Sequence, residues 1–302
     1  MRECPHHLLM QALLLPDPQA ADAWRNWRAT ADLDRLDPAS FYLLPGLSGR
    51  LPEWVSDDPR RAVLLGICRR AWSQNQVRLK LLGEAIEILQ AAGIHRTAAT
   101  GPVLWGALYW PERAVRPIEI VDLLVEPDWA WAALEAMLGR GWTPQTRMPD
   151  RSVRAFPFEP AVLFRSPGGG EVRLHWRAVP NTDFSLRRPP VLELCAMPPG
   201  HVAPYSISAE HALVASLSGT HWDAMDWRCD ALLISRQIRD WNQVAALLRW
   251  RSLARDRLAE LGRDWGAEFP AAAVREVWSS GVERALAASL QRYRRVKAAW
   301  RQ

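Results

Sequence analysis

The sequence predicts an α+β fold, a small mixed sheet held between two helical regions. Three observations predict it. Apolar residues recur at helical spacing up to about residue 92 and again from about residue 208. Between these limits the pattern changes to short runs rich in β-branched residues, such as IEIVDLLV and EVRLHWRAV. Those runs alternate with segments that carry Pro at the start and Gly at the end, as helices do. The chain therefore divides into an N-terminal helical region over 1–92, an α/β core over 93–200 and a C-terminal helical region over 201–302.

Each element follows from local chemistry. HLLMQALLL, the stretch around Ala62 to Trp72, and VRLKLLGEAIEILQAAG read as helices, the last stopped by Gly93. The Pro-rich LLPGLSGRLPEW between them reads as a loop. HRTAAT reads as a short strand and GPVLWGALYW as a helix opened by Gly101 and Pro102. IEIVDLLV reads as a buried strand, and PDWAWAALEAMLGRG as a helix ended by Gly141. RSVRAFPF, AVLFRS and EVRLHWRAV read as strands, with PGGG at 167–170 as a hairpin turn. PNTDFSLRRPPVLELCAMPPGH reads as a Pro-rich connector, and Ser208 as the N-cap of the next helix.

Composition narrows the function classes. Hydrophobic residues make up 49% and charged residues 24%, the balance of a globular chain. No stretch approaches the ~18 uninterrupted apolar residues of a membrane span. The opening LLMQALLL reads as an amphipathic helix rather than a signal peptide, which leads to the expectation of a cytoplasmic location and no membrane partner. The cysteines Cys4, Cys68, Cys195 and Cys229 have neither disulfide-framework nor zinc spacing. The net charge of +5 is arginine spread along the chain, Lys80 and Lys297 being the only lysines, and not the concentrated stripe of a nucleic-acid footprint. The 17 tryptophans read mainly as core and inter-helix packing, with an exposed subset as the other option.

The informative segment is TGPVLWGALYWPERAVRPIEIVDLLVEP. Through Gly101, Leu104, Ala107, Leu108, Tyr109, Pro111, Arg116, Pro117 and the Asp122-Leu123-Leu124-Val125 strand, it resembles the uncharacterised nucleotidyltransferase family of the polymerase-β-like superfamily. Leu174-His175-Trp176 resembles that family's Asp-Leu-His-Trp strand, and Thr220 to Asp230 its His-x-x-Trp helix. The resemblance covers nearly the whole chain. It implies a nucleotidyltransferase-like sheet, Mg²⁺ and a nucleoside triphosphate as cofactors, and nucleotidyl transfer to a small molecule, peptide or protein. In that scheme two aspartates at i and i+2 share one strand face, and a third carboxylate on the next strand completes a two-metal clamp.

This sequence departs from the scheme. Ile120 replaces the first aspartate, Asp122 keeps the second, Arg173 stands at the third, and Thr100 stands at the family's lysine. The candidate catalytic residues are Asp122, as a remnant and the one metal ligand, with Glu171 and His175. Thr100, Gly101, Arg116, Arg173 and His221 are the candidate substrate contacts. Asp122 reads either as a catalytic remnant or as half of an ion pair, and His175 either as a base or as a hydrogen-bonded core residue. An arginine in a carboxylate's place predicts a salt bridge between Arg173 and Asp122. Two functions follow: a binding or accessory protein with weakened or lost transfer and a peptide or protein partner, or an active divergent nucleotidyltransferase.

Overall fold

A computed structural model describes residues 5–111, 113–149, 161–177, 194–219, 225–249 and 251–274. The N-terminal region contains α1 (Pro5–Leu14), α2 (Asp17–Thr30), α3 (Pro38–Leu43), a 3₁₀ turn (Leu44–Leu47), α4 (Leu51–Trp54) and α5 (Arg61–Ala91). The expected loop at LLPGLSGRLPEW is instead two short helical pieces. Pro45 and Pro52 sit in their first turns, where a missing N–H removes nothing from the helix. Gly46 is required there, because a Cβ would lie 2.6 Å from the Trp110 ring. Asp37 caps α3 by accepting from the Ser40 N–H at 2.9 Å. Trp24 packs against Trp27 and Trp54 with ring centroids 5.1 and 5.9 Å apart, so these tryptophans are the core filler the sequence suggests.

The two helical stretches read between Ala62 and Gly93 are one helix of 31 residues, about 46 Å long at 1.5 Å per residue. Gly93, at φ 81°, ends it as expected. Its buried positions are Leu64, Cys68 and Ala71, then Leu82, Ala85, Ile86 and Leu89. None of the ten positions between Ala71 and Leu82 is fully buried, although Leu79 and Leu81 pack partly on the core and Arg78 Nε donates to the Glu119 carbonyl at 3.0 Å.

The core follows as β1 (Thr97–Thr100), α6 (Gly101–Leu108), β2 (Val121–Val125), α7 (Ala130–Gly139), β3 (Thr143–Pro144), β4 (Ala161–Arg165), β5 (Glu171–His175), β6 (Leu194–Ala196) and β7 (Tyr205–Ile207). These strands form one mixed sheet in the order β3-β4-β5-β2-β1-β7-β6. The Asp122 strand is central, as expected, with β1 antiparallel on one side and β5 parallel on the other. The connector expected over 180–201 in fact supplies β6, and β7 follows it; both are too short to leave a period in the sequence. The expected RSVRAFPF strand lies outside the described residues.

Alternation divides the sheet into two faces. Val121, Leu123, Val125, Val162, Phe164, Val172 and Leu174 are fully buried on one face, against which α5 and α7 pack. Burying this set is what fixes the register, since a one-residue slip would turn it outward. The opposite face carries Thr100, Asp122, Arg173 and His175, aligned by the pairings Thr100↔Asp122↔Arg173 and Leu124↔His175.

The C-terminal region holds α8 (Ala209–Leu217), α9 (Trp227–Ser235), α10 (Trp241–Leu248), α11 (Ser252–Trp265) and α12 (Ala271–Val274). Ser208 caps α8 as expected, accepting from the His211 N–H at 3.4 Å. The regions are interlocked: Arg236, just after α9, donates to the Leu14 carbonyl at 3.0 Å. Trp227 is half-buried between the guanidiniums of Arg228 and Arg257, 5.1 and 4.9 Å from its ring. Trp222 lies outside the described residues.

His211 is 3% exposed, with Nδ1 3.1 Å from Ser208 Oγ. Burial pushes its imidazole below the ordinary value of 6.5; Glu210 opposes that shift and Arg251 adds to it. The unfolded chain therefore takes up this proton first as the pH falls. The stability that neutral His211 secures is complete above about pH 6.5 and is lost progressively as the pH drops towards the folded value. The urea midpoint should fall between about pH 7.5 and pH 5, and His211→Gln should reduce the fall. Equal falls in both proteins would remove His211 from the account.

Candidate functional site

The site builds outward from Asp122. The apolar run IEIVDLLV forms the central strand, and alternation turns Asp122 away from the α5 face. Asp122 is 1% exposed, so its charge requires partners. Arg173, its register partner on β5, brings Nη1 to 3.2 Å from Asp122 Oδ1, forming the expected ion pair. His175, two residues on and on the same face, places Nε2 2.8 Å from the same oxygen. With Asp122 ionised, that nitrogen must carry the proton. His175 is 5% exposed, a hydrogen-bonded core residue whose ring is held by the carboxylate.

Thr100 completes the row. It pairs with Asp122 across β1 and β2 and is 1% exposed. It occupies the N-cap position of α6, yet its side chain caps no N–H, and its hydroxyl has no partner among the described residues. Gly101 follows at φ 62°, a left-handed turn that lets the chain pass straight from β1 into α6.

Other candidates lie apart from this row. Glu171 is bound to Arg165 at 2.8 Å, across the β4–β5 pair, and not to Asp122. Arg116 is 2% exposed and sits in a second buried network. Its Nη2 and Nε lie 2.7 and 3.3 Å from the two oxygens of Asp230, and its Nη1 donates to the Pro117 carbonyl at 2.6 Å. Trp110 Nε1 donates to Asp230 at 2.8 Å, and the guanidinium lies 5.4 Å from the Trp105 ring. Arg116 thus ties the segment after α6 to α9. His221 lies outside the described residues.

The donor set does not suit Mg²⁺, which takes oxygen ligands from carboxylates, phosphates and water. Ile120 offers no donor. Arg173 brings a positive charge to the carboxylate oxygen that a metal would use. At an effective dielectric of about 20, a dication within ~4 Å of that guanidinium would be repelled by on the order of 8 kcal/mol. No group of three or more His, Cys, Asp or Glu that could hold a metal exists among the described residues. No helix there is long and apolar enough to cross a membrane.

No protein-family model matches this chain, and no curated protein does. Asp230 and Trp110 are the buried partners that sequence reasoning did not assign. Asp230 lies 114 residues from Arg116, and no local pattern links the two.

Proposed function

We propose that this chain is a nucleotidyltransferase-type protein that has exchanged metal-dependent transfer for binding, serving as an accessory protein to a peptide or protein partner. The observation that carries the reading is the clamp on Asp122. The carboxylate that the resemblance assigns to a metal is instead neutralised by Arg173 at 3.2 Å and held by His175 at 2.8 Å. An arginine fixed there does structurally what a cation would do, so the sheet is complete without one. The chemistry left to the row is recognition through Arg173, the member of it whose side chain reaches solvent, at 12% exposure.

Calorimetry with each nucleoside triphosphate, with and without Mg²⁺, tests this. The expected result is no metal-dependent heat for any of the four. Micromolar, Mg²⁺-dependent binding would overturn the reading in favour of an active, divergent nucleotidyltransferase.

A further inference from the structure

We propose that a cavity between α5 and α6 binds a compact, uncharged aromatic small molecule. The cavity lies on the other side of the sheet from Asp122: Ala99, which forms part of its floor, alternates with Thr100. The inference therefore does not rest on the function proposed above, and either can fail alone.

The cavity measures about 290 Å³, near the lower end of the ~300–1,000 Å³ range of ligand pockets. That size favours a one- or two-ring compound over a nucleotide. It opens along α5 in the gap between the buried positions Ala71 and Leu82. Within that gap Trp72 is 56% exposed at the rim, and Val202, from the loop joining β6 to β7, is 42% exposed and also lines the space. Two large apolar side chains are thus left in water at one mouth, with an indole face free to stack on a ring. Gly106, Ala107, Ala114 and Ala203 also line the space, and their small side chains leave it open.

The charges in the wall exclude ionic ligands. Among the described residues no carboxylate and no lysine lines the cavity. Among the described residues two side chains there can carry positive charge: Arg116, already bound to Asp230, and His201, exposed at the rim. Asn75 is a strut: its amide donates to the Arg116 carbonyl at 2.8 Å and accepts from the Ile118 N–H at 3.0 Å, holding the wall in place. A buried cation would find no counter-charge here, and a buried anion would have to take Arg116 from its carboxylate, because His201 lies out in solvent where water screens it. Gln76, exposed at the rim, supplies a neutral polar end for a ring N–H or hydroxyl.

The test is titration of the full chain with indole, tryptamine and indole-3-acetate, followed by calorimetry and saturation-transfer NMR. Indole should bind at one site, and the two charged relatives at least about tenfold more weakly. Trp72→Ala should weaken indole about fivefold or more by removing the stacking face. Ala107 is exposed, so Ala107→Phe should fill the cavity and abolish binding with the melting temperature unchanged. Should that variant melt early, Ala114→Leu gives the same readout from the half-buried part of the wall. The proposal is overturned if indole does not bind, if tryptamine or indole-3-acetate binds equally well, or if neither Trp72→Ala nor the wall substitution changes indole binding.

Discussion

Asp230→Ala is expected to destabilise the protein by about 3–5 kcal/mol, measured as a fall in the urea midpoint at unchanged slope. The Arg116 and Asp230 side chains are 0% and 1% exposed. Removing the carboxylate strands a guanidinium in the core and leaves the Trp110 N–H without its acceptor. The cost is mainly that of an uncompensated charge, not of a lost attraction. The double substitution Arg116→Met and Asp230→Leu should therefore cost less than Asp230→Ala alone, because it removes both charges together. A loss under about 1 kcal/mol for Asp230→Ala would show that this network is not what ties the segment after α6 to α9.

The second large effect concerns Asp122. Arg173→Ala should cost about 2 kcal/mol, less than the change at Asp230. The Arg173 side chain is 12% exposed, and His175 still holds the carboxylate. The double variant Ile120→Asp and Arg173→Asp should behave differently. It sets carboxylates at the paired strand positions 122 and 173 and at 120 in the bend just before β2, and it removes the cation that balanced Asp122. Without metal, this variant should melt well below the parent through like-charge repulsion. Millimolar Mg²⁺ should recover part of the loss by mass action, about 2.7 kcal/mol at a hundredfold excess over the dissociation constant. The parent should show no such dependence. A double variant whose melting temperature ignores Mg²⁺ would mean that these positions do not converge on a metal-sized site.

The central strand was legible because burial on both faces demands an unbroken apolar run, so the lone Asp122 stands out within it. Its partner could be reasoned as well: Arg173 reads as the third position of the expected carboxylate scheme, and an arginine there answers a carboxylate. The cap at Ser208 and the stop at Gly93 are local signals and were equally readable. What escaped was non-local or too short. β6 and β7 have three residues each, and Cys195 and Ser206 give no alternation to count. Arg116 belonged to a recognisable Arg-Pro pair, but only the folded chain brings it to Asp230. Glu171 shares a face with Asp122, yet strand pairing places Arg165 directly opposite and satisfies it there.

The pairing of β1 with β7 sets a timetable for the molecule. Ala98 has Tyr205 as its register partner, and the Leu14 carbonyl waits for Arg236. At about 5–20 residues per second, a ribosome needs roughly 5–20 seconds to make the chain between Ala98 and Tyr205. Throughout that interval β1 can pair with β2 on one side, while its other edge presents bare N–H and C=O groups. A nascent chain in this state is a template for strands of neighbouring chains. Its yield in a cell should therefore depend on how well holdase chaperones cover that edge before the last two strands emerge.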